Sequence, residues 1–268
     1  MSDIKNSIIN ITSLEELSLK DTPIHRKHPT VKLLITLIYL VIVISFPTYE
    51  VSGLLPMVFF PILWMVIGEI PFRPLFGRLL IALPFTLFAG LSNVLISREE
   101  VLQFGTLIIT GGMLGFTSIM LKTILTVMAV LILIATTSMK ELLQVMVQLK
   151  VPPIVILQLT MTFRYLELLM EEALVMYHAY MLRSPGARGI KLKDMGPFLG
   201  QLILKSFGRA ERVYYAMKCR GFAGKIRFSE HRKINFADLI YLVLITLLLI
   251  LLRLVNISEI IGSFIISI

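Results

Sequence analysis

The sequence has few of the residues on which disulfide-stabilised domains and soluble enzymes depend. Its 268 residues include one cysteine, Cys219, which excludes an intramolecular disulfide and a cluster of thiolate metal ligands. We expect Cys219 to be a small apolar residue that fills a gap in the core. Charged residues make up 16% of the chain, against about 25% in soluble proteins. The first 30 residues contain no long apolar run, so no cleaved signal peptide is predicted.

The sequence also lacks the motif of a nucleotide-hydrolysing enzyme. The pattern GxxxxGK[ST] would need Ser or Thr after Gly224-Lys225 and a glycine five residues before Gly224, but Ile226 and Cys219 stand there. This chain is therefore not predicted to hydrolyse ATP itself. We predict a non-enzymatic protein with no catalytic residue and no bound cofactor.

Apolar residues make up 56% of the sequence, and they occur in long blocks. At a rise of about 1.5 Å per residue, blocks of about 20 residues cross a bilayer as helices. We therefore predict an all-α, polytopic helical membrane protein with about five spans, roughly 31–48, 51–68, 79–97, 116–137 and 237–255. The connection at 98–114 is expected to form a short hairpin. Lys122 is expected near one end of the fourth span, where its long stem reaches the headgroups.

Candidate metal ligands are scarce in these spans. No Asp, Glu, His or Cys lies in the interior of a predicted span, so no buried metal path and no metal-binding residue is predicted. All histidines of the chain lie outside the spans, at His25, His28, His178 and His231. His25 and His28 could pair as ligands, but solvated loop histidines are the expectation we favour.

Positive charge is concentrated in one segment. Residues 139–233 hold 16 of the 26 Lys and Arg and 7 of the 17 Asp and Glu, a net charge of +9, and the rest of the chain has ten of each sign. Because Lys and Arg are enriched in cytoplasmic loops, this segment and the N-terminus, with Arg26, Lys27 and Lys32, are predicted to be cytoplasmic. The predicted order is a cytoplasmic segment, four spans, a basic cytoplasmic module, and a last span with a short external tail, at 1–30, 31–137, 138–235 and 236–268.

Two long helices are predicted in the basic module, after a short amphipathic helix at 139–149. The first starts at Pro152-Pro153, continues through 154–184 without Gly or Pro, and ends at Pro185-Gly186. The second is expected to begin near Pro197, with Asp194 as its N-terminal cap, and to be closed by Gly221. These are the long cytoplasmic helices of the predicted architecture.

Each long helix ends on an arginine, a small residue and a break, at Arg183-Ser184 and at Arg220-Gly221. One interpretation is that arginine near a helix C-terminus complements the helix dipole, which contributes about 0.3–1 kcal/mol. The other is that two helix tips present arginine forks to acidic grooves on partner proteins. The other basic residues fit a surface that faces anionic lipid, and no nucleic-acid-binding motif accompanies them, so no nucleic acid partner is predicted.

The chain resembles the transmembrane T component of energy-coupling factor transporters, most closely the cobalt-type CbiQ family. The resemblance covers nearly the whole chain and includes HRKHPTVKLL at 25–34, LKVPP at 149–153 and KSFGRAERVYYAMKCRGFAGK at 205–225. In that family, short Ala-Arg-Ser or Ala-Arg-Gly motifs end the coupling helices and dock into two ATPase subunits. The match implies Arg183 with Ser184 and Arg220 with Gly221 as the docking residues. Leu182 and Cys219 stand where alanine is usual.

A literal Ala187-Arg188-Gly189 follows the Pro-Gly break, so Arg188 with Gly189 is the alternative for the first docking motif. The resemblance implies a scaffold in the cell membrane with two ABC-type ATPase partners and a separate substrate-binding membrane S component. ATP-driven motion would pass through the long helices to that component, with cobalt or nickel as cargo and cobalamin synthesis as the downstream use.

Three rival functions remain open from the residues. A vitamin-type T component is the nearest, since substrate recognition would belong to another subunit. An ion-coupled secondary transporter could use helices broken at Pro56, Pro61 and Pro84. A membrane-interface enzyme could use the carboxylates of Glu167, Glu171 and Glu172, although pairing of Glu167 with Arg164 is a simpler explanation for that residue.

Overall fold

The computed structural model describes residues 17–48, 51–96, 100–104, 107–186, 189–223 and 235–254. Within these ranges the chain forms eight α-helices, two single-turn 3-10 helices and one β-hairpin. The chain divides into two compact units. The larger unit comprises residues 14–138 and 232–268, and the smaller unit comprises residues 1–13 and 139–231.

The larger unit contains five of the helices and the hairpin. Its elements are α1 (Pro29–Ile44), the 3-10 turns Ser52–Leu54 and Pro56–Val58, α2 (Phe59–Ile67), α3 (Phe72–Ile96), β1 (Glu100–Phe104), β2 (Leu107–Thr110), α4 (Gly111–Thr136) and α8 (Phe236–Leu254). The smaller unit contains the other three, α5 (Met139–Gln148), α6 (Pro153–Arg183) and α7 (Leu192–Cys219).

The helices have the lengths and composition of a polytopic membrane protein, which confirms the predicted fold class. Four of them, α3, α4, α6 and α8, are long and apolar enough to cross a bilayer, and Pro29–Ile44 and Ser52–Ile67 are shorter apolar segments. The second predicted span is interrupted near its start, where two 3-10 turns precede α2. The helix α6 meets the same criterion of length and composition, although it lies within the basic segment that is predicted to be cytoplasmic.

Two helices begin earlier than their apolar runs suggested. The third predicted span was expected to start at residue 79, but α3 starts at Phe72 and includes Arg73 and Arg78. The fourth was expected to start at residue 116, but α4 starts at Gly111, directly after β2. Arginine is a good helix former, so α3 continues beyond the apolar residues that a hydrophobicity pattern detects. The predicted hairpin at 98–114 is confirmed by the antiparallel pairing of β1 with β2.

The core of the larger unit lies between α1, the 3-10 turns, α2 and α4. Tyr39 stacks on Phe60 at 4.4 Å between ring centroids, and Phe60 packs against Trp64 at 5.0 Å. The Tyr39 hydroxyl donates to the Met57 carbonyl at 3.0 Å, which satisfies the polar end of this buried aromatic side chain. Ile132 of α4 is also buried in this cluster.

Two lysines join α1 to α4 in an antiparallel pair. Lys32, in the first turn of α1, donates to the carbonyl of Thr136 at the end of α4, at 2.6 Å. Lys122 of α4 donates to the carbonyl of Phe46, just beyond the end of α1, at 2.6 Å. The two contacts are 14 residues apart along both segments of the chain. Each lysine binds a carbonyl at or just beyond the C-terminus of the other helix, where the helix dipole favours a positive charge.

The expected position of Lys122 near a helix end is therefore wrong. Lys122 lies in the middle of α4, and its stem reaches the carbonyls of Phe46 and Pro47 rather than a lipid headgroup. In the expected and in the observed position alike, the long lysine stem carries the ammonium group away from the backbone. The observed acceptors, however, are carbonyls of the protein and not lipid headgroups.

The expectation that His25 and His28 are solvated is also wrong. Their exposed fractions are 7% and 1%. His28 is the N-cap of α1, since its Nδ1 accepts a hydrogen bond from the backbone N–H of Thr30 at 3.2 Å. The ring Nε2 of His25 lies within hydrogen-bonding distance of the carbonyls of Leu17 and Ala135, and its Nδ1 lies 2.7 Å from the Thr22 hydroxyl. Because carbonyls only accept, Nε2 carries the proton.

Candidate functional site

The first predicted docking tip lies at the C-terminal end of α6. It begins at Pro153, where the fixed φ of proline suits the first helical position, and it runs for 31 residues, about 46 Å, without an interior Gly or Pro. It ends at Arg183, because Pro185 has no N–H with which to continue the helix. The predicted start and end of this helix are confirmed.

The first tip is an exposed helix end. Arg183 is the last residue of α6 and is exposed, and Leu182 beside it is 85% exposed. Ser184 follows as the C-cap, and its backbone N–H bonds to the carbonyl of Met181 at 3.3 Å. Gly186 then has a φ of 86°, which is a left-handed conformation that glycine adopts without strain. Arg183 is therefore free to contact another protein at the point where the chain turns.

The second tip is a helix end closed by a Schellman motif. Arg220 is the C-cap of α7 and is exposed. The N–H of Gly221 bonds to the carbonyl of Lys218 at 2.9 Å, and the N–H of Phe222 bonds to the carbonyl of Met217 at 3.0 Å. This pattern requires a left-handed residue, and Gly221 has a φ of 81°. Glycine is thus needed at 221 for a reason of backbone geometry, which is independent of any docking role.

The start of α7 differs from the prediction. The helix begins at Leu192, five residues before Pro197, with Lys191 at the N-cap position. Asp194 lies in the first turn, and its side chain does not cap the helix. Instead, Asp194 Oδ2 accepts a hydrogen bond from the hydroxyl of Tyr180 at 2.7 Å. The carboxylate of Asp194 therefore accepts a hydrogen bond from Tyr180 of α6 instead of capping the N-terminus of α7.

Polar contacts connect α6 to α7 at two levels. Near the turn, Tyr180 contacts Asp194. Further along, Glu172 accepts hydrogen bonds from Lys205 and from Arg209, the second at 3.5 Å. Of the carboxylate cluster on α6, Glu172 is the member that forms ion pairs with described residues, and the suggested pairing of Glu167 with Arg164 is not among them. The contacts show that α6 and α7 form an antiparallel hairpin.

The two predicted tips lie at opposite ends of α7. Arg183 and Ser184 precede the turn that leads into α7, and Arg220 and Gly221 follow its last residue. With 28 residues, α7 is about 42 Å long, so the structure holds the tips apart instead of combining them into one site. Arg188 lies outside the described residues, and Gly189 is a half-buried residue in a bend.

Cys219 is not the core residue that we expected. It is the last residue of α7, next to Arg220, and its side chain is exposed. The apolar character of cysteine predicted burial, but Lys218 and Arg220 on either side of it at this helix end are exposed as well. Nearby, the Lys218 ammonium lies 5.6 Å from the centroid of the Tyr214 ring.

Sequence reasoning missed Tyr180, Lys205 and Arg209 as residues that organise this site. The spacing within one helix carries no signal for them, because their partners lie 14, 33 and 37 residues away in the chain. Among the described residues, no three His, Cys, Asp or Glu side chains come together as a possible metal site.

Comparison with known proteins identifies a family whose model matches most of this chain. Residues 20–234 match the family model described as CbiQ, cobalt transport protein. The transmembrane protein EcfT of an energy-coupling factor transporter of Bacillus subtilis (strain 168) is 27% identical over 229 residues, which cover 79% of this chain and 84% of EcfT.

Two further relatives match over shorter segments. An uncharacterized protein of Methanocaldococcus jannaschii is 31% identical over 121 residues, 43% of this chain and 41% of the relative. The nickel permease LarQ of Lactiplantibacillus plantarum is 31% identical over 103 residues, 38% of each chain. The chain thus spans about two fifths of the length of these two relatives and more than four fifths of the length of EcfT.

Proposed function

Because the chain belongs to the CbiQ family of cobalt transport proteins, we propose that it is the transmembrane energy-coupling subunit of an importer driven by two ABC-type ATPases. The observation that carries this proposal is the ending of both long helices of the smaller unit on an exposed arginine, at Arg183 and at Arg220. Ser184 and Gly221 complete the two docking motifs.

Two separate tips suit two separate partners. The length of α7, about 42 Å, keeps the arginines far enough apart for each to enter the groove of a different ATPase subunit. Guanidinium groups bind carboxylates through two parallel hydrogen bonds, so an acidic groove fixes the direction of an arginine fork as well as attracting its charge. Movement of the ATPases on ATP binding would then move both ends of one helix.

The proposed membrane orientation rests on the distribution of charge. The net charge of +9 on residues 139–233 favours a cytoplasmic location for the smaller unit, where ATP and the ATPases are found. The N-terminus is proposed to be cytoplasmic for the same reason, and the location of the whole is the cell membrane. The motion would be passed to a separate substrate-binding membrane subunit.

The proposed cargo is a divalent transition metal ion. The family description names cobalt transport, and one relative is named a nickel permease. Cobalt and nickel ions have similar ligand preferences, so one class of metal-binding subunit serves for either. We propose that the metal is recognised by the substrate-binding partner and not by this chain.

Charge reversal at the tips tests the proposal. The variant Arg183→Glu/Arg220→Glu should insert in the membrane but lose the ATPase subunits that co-purify with the unmodified chain, because two attractive contacts become repulsive. The matched control is Arg164→Glu/Arg212→Glu, which reverses two exposed arginines in the interiors of the same helices. Undiminished co-purification with the tip variant, or equal loss with the control, would contradict the docking role.

The only cysteine of the sequence offers a direct footprint of the second tip. Cys219 is exposed and adjacent to Arg220, so a maleimide should label the chain at this one position. Bound ATPases should slow the labelling, and Arg220→Glu should abolish that protection. Labelling at an unchanged rate in the complex would show that the end of α7 is not covered.

Uptake measurements test the energy source and the cargo. Cells that express the chain with its partners should accumulate cobalt or nickel ions, and inactivation of the ATPases should stop this accumulation. Uptake that persists with inactive ATPases but collapses with an uncoupler would indicate an ion-coupled secondary transporter instead. Uptake of a vitamin without metal uptake would keep the coupling role and overturn the cargo.

A further inference from the structure

Tyr180 occupies a distinctive position on α6. It lies three residues before Arg183, within the last turn of the helix. Its hydroxyl donates to Asp194 Oδ2 at 2.7 Å and lies 3.4 Å from the backbone nitrogen of Lys191, whose N–H donates to it. The one oxygen atom is therefore both a donor and an acceptor, and both of its partners belong to the beginning of α7.

These contacts join the two helix ends between which the connecting segment runs. Lys191 is the N-cap residue of α7, and Asp194 lies in its first turn. The Tyr180 hydroxyl thus joins the last turn of α6 to the first turn of α7 across the chain segment 184–190. Because the acceptor is a carboxylate, the hydrogen bond is charge-assisted and stronger than one between neutral groups.

Apart from the buried side chain of Tyr177, one turn earlier on α6, little else in the described part of the smaller unit restrains the first tip. Leu182 is 85% exposed, so the side chain next to Arg183 makes no apolar anchor. The other polar contact between α6 and α7, at Glu172, lies eight residues back along α6 from Tyr180, about 12 Å. In α7 no residue is buried. Tyr180 therefore makes the contacts to α7 that lie nearest the first tip among the described polar contacts, and the direction of the α6 end depends on them.

We propose that Tyr180 is a positioning residue for the first docking tip, which it holds, through Asp194 and the backbone of Lys191, in the direction that an ATPase groove accepts. The inference rests on the proposed function, since it presupposes that Arg183 docks. A tip that is already oriented loses less conformational freedom on binding, so its restraint appears as affinity. Tyr180 itself need not touch the ATPase.

The substitution Tyr180→Phe removes the hydroxyl and keeps the ring. We expect it to weaken the binding of the co-purifying ATPase subunits to the full-length chain in detergent about fivefold, the equivalent of one net hydrogen bond of about 1 kcal/mol. Asp194→Ala should have a similar effect, and the double variant should be no weaker than either, because both changes remove the same contact. The matched control is Tyr165→Phe on the same helix, since the Tyr165 hydroxyl makes no hydrogen bond to the described residues.

A comparison of two backgrounds separates positioning from general stabilisation. Arg183→Ala removes the first tip and leaves the second, so binding is weakened but measurable. In this background Tyr180→Phe should cause no further loss, whereas in an Arg220→Ala background it should still cost about fivefold. A merely structural role would reduce binding equally in both backgrounds, and that result would overturn the proposal.

Two other outcomes would also contradict the proposal. If Arg183→Ala weakens binding but Tyr180→Phe behaves like Tyr165→Phe, the tip docks without help from Tyr180 and the positioning role is wrong. If Arg183→Ala itself has no effect, the docking role proposed for Arg183 fails first, and the inference about Tyr180 fails with it. The two failures are therefore distinguishable in one set of measurements.

Discussion

The substitution Lys32→Met tests whether the joint between α1 and α4 stabilises the larger unit. The Lys32 side chain is 0% exposed, and its ammonium donates to the carbonyl of Thr136 at 2.6 Å and to that of His25 at 3.3 Å. Methionine keeps an unbranched stem of similar length, so the apolar packing is retained and the donor is lost. The carbonyls then remain buried without this partner.

The expected magnitude follows from the two contacts. A hydrogen bond to a charged group contributes a net of about 1.5–3 kcal/mol, a value that already includes the lost hydration of both partners. The bond to Thr136 is short and that to His25 is long, so we expect a total loss of about 2 kcal/mol in the free energy of unfolding. For a unit of this size, that loss corresponds to a decrease in Tm of about 4–8 °C.

The assay is thermal unfolding of the purified full-length chain in detergent, followed by the fraction that remains monodisperse after heating. The control is Lys193→Met, which removes an exposed lysine in the first turn of α7. Lys122→Met should lower Tm by a similar amount, and the two effects should add, since the sites share no partner and lie 14 residues apart along the helices. A Tm of Lys32→Met that equals or exceeds that of the unmodified chain would refute the reasoning.

Three further substitutions probe local features of the structure. His28→Ala should lower the free energy of unfolding by about 1 kcal/mol, measured by the same thermal assay, whereas His28→Asn should keep the cap that Thr30 uses. Gly90→Leu should lower it by about 1–3 kcal/mol, because a Cβ at Gly90 would lie 2.5 Å from the Phe116 ring and would push α3 away from α4. Gly221→Ala places a Cβ on a left-handed residue at a cost of about 1–2 kcal/mol. Faster amide exchange at the end of α7 should reveal this destabilisation. For each of the three substitutions, an unchanged stability or exchange rate would contradict the contact or conformation on which the prediction rests.

The helix ends that the sequence predicted correctly are those with a local cause. Pro152-Pro153 and Pro185 bound α6, and Gly221 closes α7, because a missing N–H or a left-handed φ acts on the neighbouring residues alone. The exposed arginines Arg183 and Arg220 follow from these ends. Local chemistry is fully visible in a sequence, so these features of the candidate site could be found without a structure.

The errors concern side chains whose partners are distant in the chain. Lys32, Lys122 and His25 contact carbonyls that are 104, 76 and 110 residues away. His25 was expected to be solvated and Lys122 to reach the membrane surface, which is the usual fate of a polar side chain beside an apolar run. For Lys32, no contact within the protein was predicted from the sequence. The prediction that Asp194 caps α7 was wrong for a related reason. The hydroxyl of Tyr180 on the neighbouring helix is a competing partner, and helix-capping rules do not consider partners on other helices.

The two units resist deformation to different degrees, and this difference bears on where motion occurs. In the larger unit, displacement of α1 from α4 would expose buried side chains such as Tyr39 and Ile132, each worth about 1.5–3 kcal/mol of apolar burial, and would break the bonds of both lysines. In the smaller unit, the described side chains that are buried are Val145, Ile156 and Tyr177. The polar contacts between α6 and α7, at Tyr180 and at Glu172, can each exchange for water at a net cost of about 1 kcal/mol. Force from a partner protein should therefore change the angle between α6 and α7 before it separates α1 from α4.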